Sequence, residues 1–94
     1  MNGIDNSLQR YIDLGRNCCR NGATRETNLV KATEELGEIA RHVFRDTADI
    51  DEVADLMLCC FAEASMIGAT GYDLTHALHR KAAKGIAKKK ELGE

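Results

Sequence analysis

The chain has 94 residues, of which 44% are hydrophobic and 30% charged, with no proline, two tyrosines, two phenylalanines, four cysteines and a formal net charge of -2. That length suits one small domain, which buries a modest share of its surface and gains by association with a second copy. A composition rich in Ala, Leu, Glu and Lys and free of Pro favours an all-α fold. No apolar N-terminal run resembles a signal peptide, and none is long enough to span a membrane, so a cytoplasmic chain with reduced thiols is expected.

Four helical segments follow in order. The first runs over Ile4–Arg20, with Leu8, Tyr11, Ile12 and Leu14 as its apolar positions, and Asn21-Gly22 ends it. The second opens at Thr24 or Thr27 and runs to Arg45, with Leu29, Thr33, Leu36, Ala40, Val43 and Phe44 as an apolar stripe. The third starts at Asp49, where "DIDE" has the form of a capping box with Glu52 reaching back, and runs to Gly68. "GATG" breaks the chain, Asp73 caps the fourth helix, and Leu74, Ala77 and Leu78 precede a basic tail. Helices of this length joined by short turns give a compact bundle. A single domain over residues 1–94 is expected, with its N-terminal helix within 1–23 and a basic helix or tail over 79–94.

Charge is unevenly spread. Lys31 to Glu63 holds nine acids against three bases, whereas His79 to Lys90 holds six bases and no acid. An acidic centre with a basic tail suits a ligand that carries both metal and phosphate. On the second helix Lys31, Glu35, Glu38 and His42 share the side opposite Leu29, Leu36 and Ala40; alone, this is a solvated face. The third helix reads VADLMLCCFAEASMI from Val53 to Ile67, apolar nearly all round, as in a buried helix. Yet it carries Glu52, Asp55 and Glu63 on one stripe. Buried carboxylates must protonate, pair or bind a cation, and Arg41 or Arg45 offers the pairing alternative for Asp55.

The two helices together spell Glu35-x-x-Glu38, thirteen residues, then Glu52-x-x-Asp55. Each pair lies on one helix face, and the segment between is long enough to return the chain antiparallel, so the pairs can face each other. An all-oxygen set of this kind suits Mg²⁺, with Mn²⁺ as a substitute.

At these residues the chain resembles the MazG-like, all-α nucleoside triphosphate pyrophosphohydrolases. The resemblance lies in "KATEELGEIARHV", "DEVADLMLCCFAEASMIG" and "DLTHALHRKAAKG" and spans about Leu29 to Lys88. It implies a four-helix module completed by a homodimer or homotetramer, and hydrolysis of a nucleoside triphosphate to a monophosphate and pyrophosphate. By motif position it implies Glu35, Glu38, Glu52 and Asp55 as Mg²⁺ ligands and Lys81 and Lys84 as phosphate contacts. Gly85 and Lys88 stand near places where the family carries Asn and Arg. Glu34, the extra acid of the EExxE form, and Glu38 are the candidates to orient water or take its proton. Lys31 and His42, on the same helix face, are candidates to support the ligands.

Other readings compete. A non-catalytic helical interaction module explains the acids as a solvated face with ion pairs to Arg41 and Arg45. A di-iron bundle needs Glu-x-x-His on two helices, and Asp73-Leu74-Thr75-His76 is one imperfect example. Nucleic-acid binding through "HRKAAKGIAKKK" lacks interleaved aromatics, and lysines at a helix end also suit the macrodipole. The pairs Cys18-Cys19 and Cys59-Cys60 read as small buried hydrophobes, because the CxxC spacing of a zinc site is absent.

Overall fold

Side-chain hydroxyls and carboxylates set the helix starts. In the computed structural model, which describes residues 3–94, the helices are α1 (Gly3–Asn17), α2 (Arg25–Phe44), α3 (Ile50–Met66) and α4 (Gly71–Glu91). The first two residues of the expected N-terminal segment lie outside the described residues. Thr24 and Thr27 are reciprocal: Thr24 accepts from the Thr27 N–H, and Thr27 accepts from the Thr24 N–H, which closes a capping box on α2. Thr70 and Asp73 do the same for α4. Asp73 therefore stands inside the first turn, and Thr70 is the cap. At α3 the N-cap is Asp49, as expected, but its carboxylate accepts from the Asp51 N–H and the expected capping box with Glu52 does not form.

Two ends also differ from the sequence reading. α1 stops at Asn17, where Cys19 N–H turns to Arg16 O at 3.1 Å in a tightened last turn. α4 continues through the lysines to Glu91. These residues are good helix formers, and their charges favour the C-terminal end of the macrodipole.

Packing proceeds in a row. α3 lies between α1 and α2, and α4 lies on α1. The outcome is the compact all-α four-helix bundle expected from the sequence, with principal extents of 48 × 42 × 23 Å. Its core is Ile12, Phe61 and Ala64, with Leu8, Ala69 and Leu74 around them. Ile12 retains 1% of its exposure. The Tyr11 ring stacks on Phe61 with centroids 5.5 Å apart. At Gly15 the two backbones meet: a Cβ there would lie 2.8 Å from Leu58 O, Ala62 N and Phe61 Cβ. Gly71 likewise brings the start of α4 against α1, and its N–H donates to Gln9 Oε1 at 2.8 Å.

The second helix has turned an unexpected face inward. It packs on α3, and its buried or half-buried positions are Asn28, Ala32, Glu35, Gly37, Glu38, Ile39, Ala40 and His42. The stripe expected to be apolar core faces out instead: Leu29 is 66% exposed, Leu36 56%, Val43 68% and Phe44 90%. The contacts that hold it so are distant in sequence. Asn28 donates to the main-chain oxygen of Cys59 at 2.9 Å, and Arg25 donates to Glu63 at 2.7 Å, so two polar contacts dock the polar stripe on α3. The third helix is correspondingly less buried than its composition suggests. Cys59, Phe61, Ala62 and Ala64 are buried, whereas Val53, Met57 and Cys60 remain exposed.

Candidate metal centre

Because α2 presents its polar stripe to α3, carboxylates from the two helices meet. One oxygen each from Glu35, Glu52 and Asp55 lies within 4.8 Å of the others. A second set, His42, Asp49 and Glu52, meets the same limit, and Glu52 belongs to both. Glu35 keeps 16% of its side chain exposed, with Lys31 Nζ 3.9 Å away. Loss of surrounding water raises the Glu52 carboxyl above its ordinary pKa, and the charges of Glu38, Asp49, Glu35 and Asp55 raise it further. Several acids crowd one space without enough positive charge, and that is the electrostatic condition a divalent cation relieves. Oxygen donors suit hard cations, and the imidazole of His42 adds a donor that Mg²⁺ seldom uses.

The remaining sequence candidates are distributed around this cluster. Glu38 is half-buried and pairs with Arg41 one turn along α2. Arg41 thus serves Glu38 and not Asp55, and no ion pair engages Asp55 among the described residues. Glu34 faces solvent. Lys81 and Lys84 are exposed on the distal half of α4, whose main packing partner is α1.

Two clefts border the α2–α3 seam. The one beside the acids has a volume of about 220 Å³ and is lined by Gly15, Cys18, Cys19, Asn28, Lys31, Asp55, Leu58, Cys59 and Ala62. The larger, about 620 Å³, opens at the other end, around Arg25, Asn28, Cys60 and Glu63. Asn28 lines both, 7% exposed. The four thiols are free; Cys59 is buried and Cys19 half-buried, but Cys18 and Cys60 are exposed, unlike the buried hydrophobes expected. Burial raises the Cys59 pKa, which Lys31 partly offsets, so this thiol stays protonated at neutral pH.

Sequence reasoning missed two participants. Asp49 is visible as a cap, but a cap leaves one carboxylate oxygen available. Asn28 carries no motif; the signal was its place one turn before Lys31 and two before Glu35 on a single stripe.

No family model, no curated protein and no solved structure matches the chain. Among the described residues no single helix is long and apolar enough to cross a membrane. The fold and the site therefore define a four-helix α module equipped with acid and histidine clusters able to hold a divalent metal.

Proposed function

We propose that this chain is a MazG-like nucleotide pyrophosphohydrolase that cleaves a nucleoside triphosphate to a monophosphate and pyrophosphate with Mg²⁺. One observation carries the reading: Glu35 of α2 lies within 4.8 Å of both Glu52 and Asp55 of α3. Glu35, Glu38, Glu52 and Asp55 would hold the cation, which supplies neutralisation of the triphosphate charge and acidifies water. Glu38, whose charge already acts on Glu52, is the nearer candidate to take the proton from the attacking water; Glu34 is the alternative. Arg41 must then release Glu38 when substrate binds. Lys31 lines the 220 Å³ cleft beside Asp55 and can meet a phosphate there.

Lys81 and Lys84 complete the reading only through a second copy. Their helix has α1 as its main partner, which favours a route to the acids of a second subunit. A homodimer or homotetramer that covers Leu29, Leu36, Val43 and Phe44 buries the apolar face of α2 and can bring a partner's lysines to the cluster. The exposed face also favours one other reading, a non-catalytic interaction module that uses α2 as its contact surface.

The deciding assay is hydrolysis of ribo- and deoxynucleoside triphosphates with Mg²⁺, with pyrophosphate and phosphate measured separately. Glu35→Gln and Asp55→Asn run beside the wild type. Pyrophosphate release lost in both variants supports the enzyme. No release from a folded protein that also fails to bind Mg²⁺ favours the interaction module.

A further inference from the structure

We propose that His42, Asp49 and Glu52 form a second cation site, distinct in donor chemistry from the all-carboxylate cluster, that prefers a first-row transition ion such as Mn²⁺ to Mg²⁺. The three side chains come from the end of α2 and the start of α3. One donor atom from each lies within 4.8 Å of the others.

The turn between the helices prepares the histidine. Thr47 N–H bonds His42 O at 2.9 Å, and Asp46 takes a left-handed conformation with φ of 53° to allow it. The Thr47 hydroxyl faces the same His42 oxygen at 3.3 Å and the His42 Nδ1 at 2.8 Å. With its proton directed to the carbonyl, the hydroxyl oxygen accepts from Nδ1–H, and Nε2 keeps its lone pair. That is the tautomer a metal ligand requires, fixed by a partner outside the ligand set.

The carboxylates are available as well. Asp49 uses Oδ1 to cap α3 at 3.0 Å, which leaves Oδ2. Glu52 has two oxygens and two clusters to serve, so it can bridge them. One imidazole with two carboxylates is a donor set that favours Mn²⁺, Fe²⁺ or Zn²⁺ over Mg²⁺, which prefers oxygen and water. The inference concerns metal binding alone and does not depend on which substrate, if any, the protein hydrolyses.

The experiment is a titration of the metal-free protein with Mn²⁺ alone, followed by electron paramagnetic resonance of the free ion, with and without excess Mg²⁺. Wild type should bind two Mn²⁺ per chain, one of them resistant to Mg²⁺. His42→Ala should lose the resistant ion and keep the other. Asp49→Asn keeps a side chain that caps as well as Asp, so α3 stays intact while this site weakens. Thr47→Ala should weaken the same site by about tenfold or more and leave the other unchanged. Wild type and His42→Ala binding the same number of ions with the same Mg²⁺ competition would overturn the second site, while the pyrophosphohydrolase reading would stand or fall by the nucleotide assay. Absence of any Mg²⁺-resistant Mn²⁺ in the wild type would overturn it equally.

Discussion

The Asn28 carboxamide on α2 donates to the main-chain oxygen of Cys59 on α3 at 2.9 Å, from a side chain that is almost fully buried. With the Arg25–Glu63 contact it docks the polar stripe of α2 on α3, and Glu35 stands two turns further along the helix. Asn28→Ala should cost about 1–3 kcal/mol, because the deletion leaves a buried acceptor less satisfied. A urea unfolding midpoint measures it. An unchanged midpoint would mean that α2 is held by Arg25 and Glu63 instead.

Gly15 should tolerate no side chain. Gly15→Ala drives a methyl into Leu58 O and Ala62 N, and overpacking of this kind costs about 1–3 kcal/mol. Gly37 is the control, since a Cβ there meets nothing within 4 Å. Gly37→Ala should stabilise by about 0.5–1 kcal/mol through helix propensity alone. Opposite shifts in melting temperature for the two glycines are the expected outcome.

Glu52 should weaken the metal-free fold at neutral pH. Its folded pKa lies above the ordinary value, so the penalty is absent below that ordinary value. The penalty grows as the pH rises through the raised folded value and is complete above it. Glu52→Gln should therefore melt higher than wild type at pH 7 without divalent cations, and the difference should shrink toward pH 4. Added Mn²⁺ should raise the melting temperature of the wild type far more than that of the variant. A wild type insensitive to cations would remove the metal centre.

The outward stripe of α2 should control association. Leu36→Glu places a charge at the middle of the exposed Leu29, Leu36 and Val43 line. Sedimentation equilibrium should show an oligomer for wild type and a monomer for the variant, with helix content preserved. A wild type that is monomeric at all concentrations would leave Lys81 and Lys84 without a route to the acids.

The four helices were legible from caps, breaks and apolar spacing, and so was the chance that two acid pairs face each other. Which face of α2 turns inward was not. Leu29, Thr33, Leu36, Ala40 and Val43 repeat with the same helical period as Asn28, Ala32, Glu35, Ile39 and His42, displaced by one residue. A period identifies a helix but does not say whether an apolar stripe is buried within the chain or against a second one. The choice fell to the long-range bond from Asn28 to Cys59, separated by 31 positions, and local patterns carry no sign of it. His42 was legible as a supporting residue and Asp49 as a cap, but their meeting with Glu52 was not, for a related reason. Their meeting depends on the turn through Asp46 and Thr47, whose shape is set by a single left-handed residue.

The helix row has α2 at one end and α4 at the other, with α3 and α1 between them. Acids crowd the seam near the first end, and the last helix carries Arg80, Lys81, Lys84 and Lys88–Lys90. The small net charge of -2 therefore conceals an uneven spread of charge along the row. At low ionic strength, where screening reaches roughly 30 Å at 0.01 M, the subunit has two oppositely charged poles. Such a molecule should be retained by both cation- and anion-exchange resins at low salt, each holding a different pole. Two copies attract most strongly when they lie head to tail, acids against lysines.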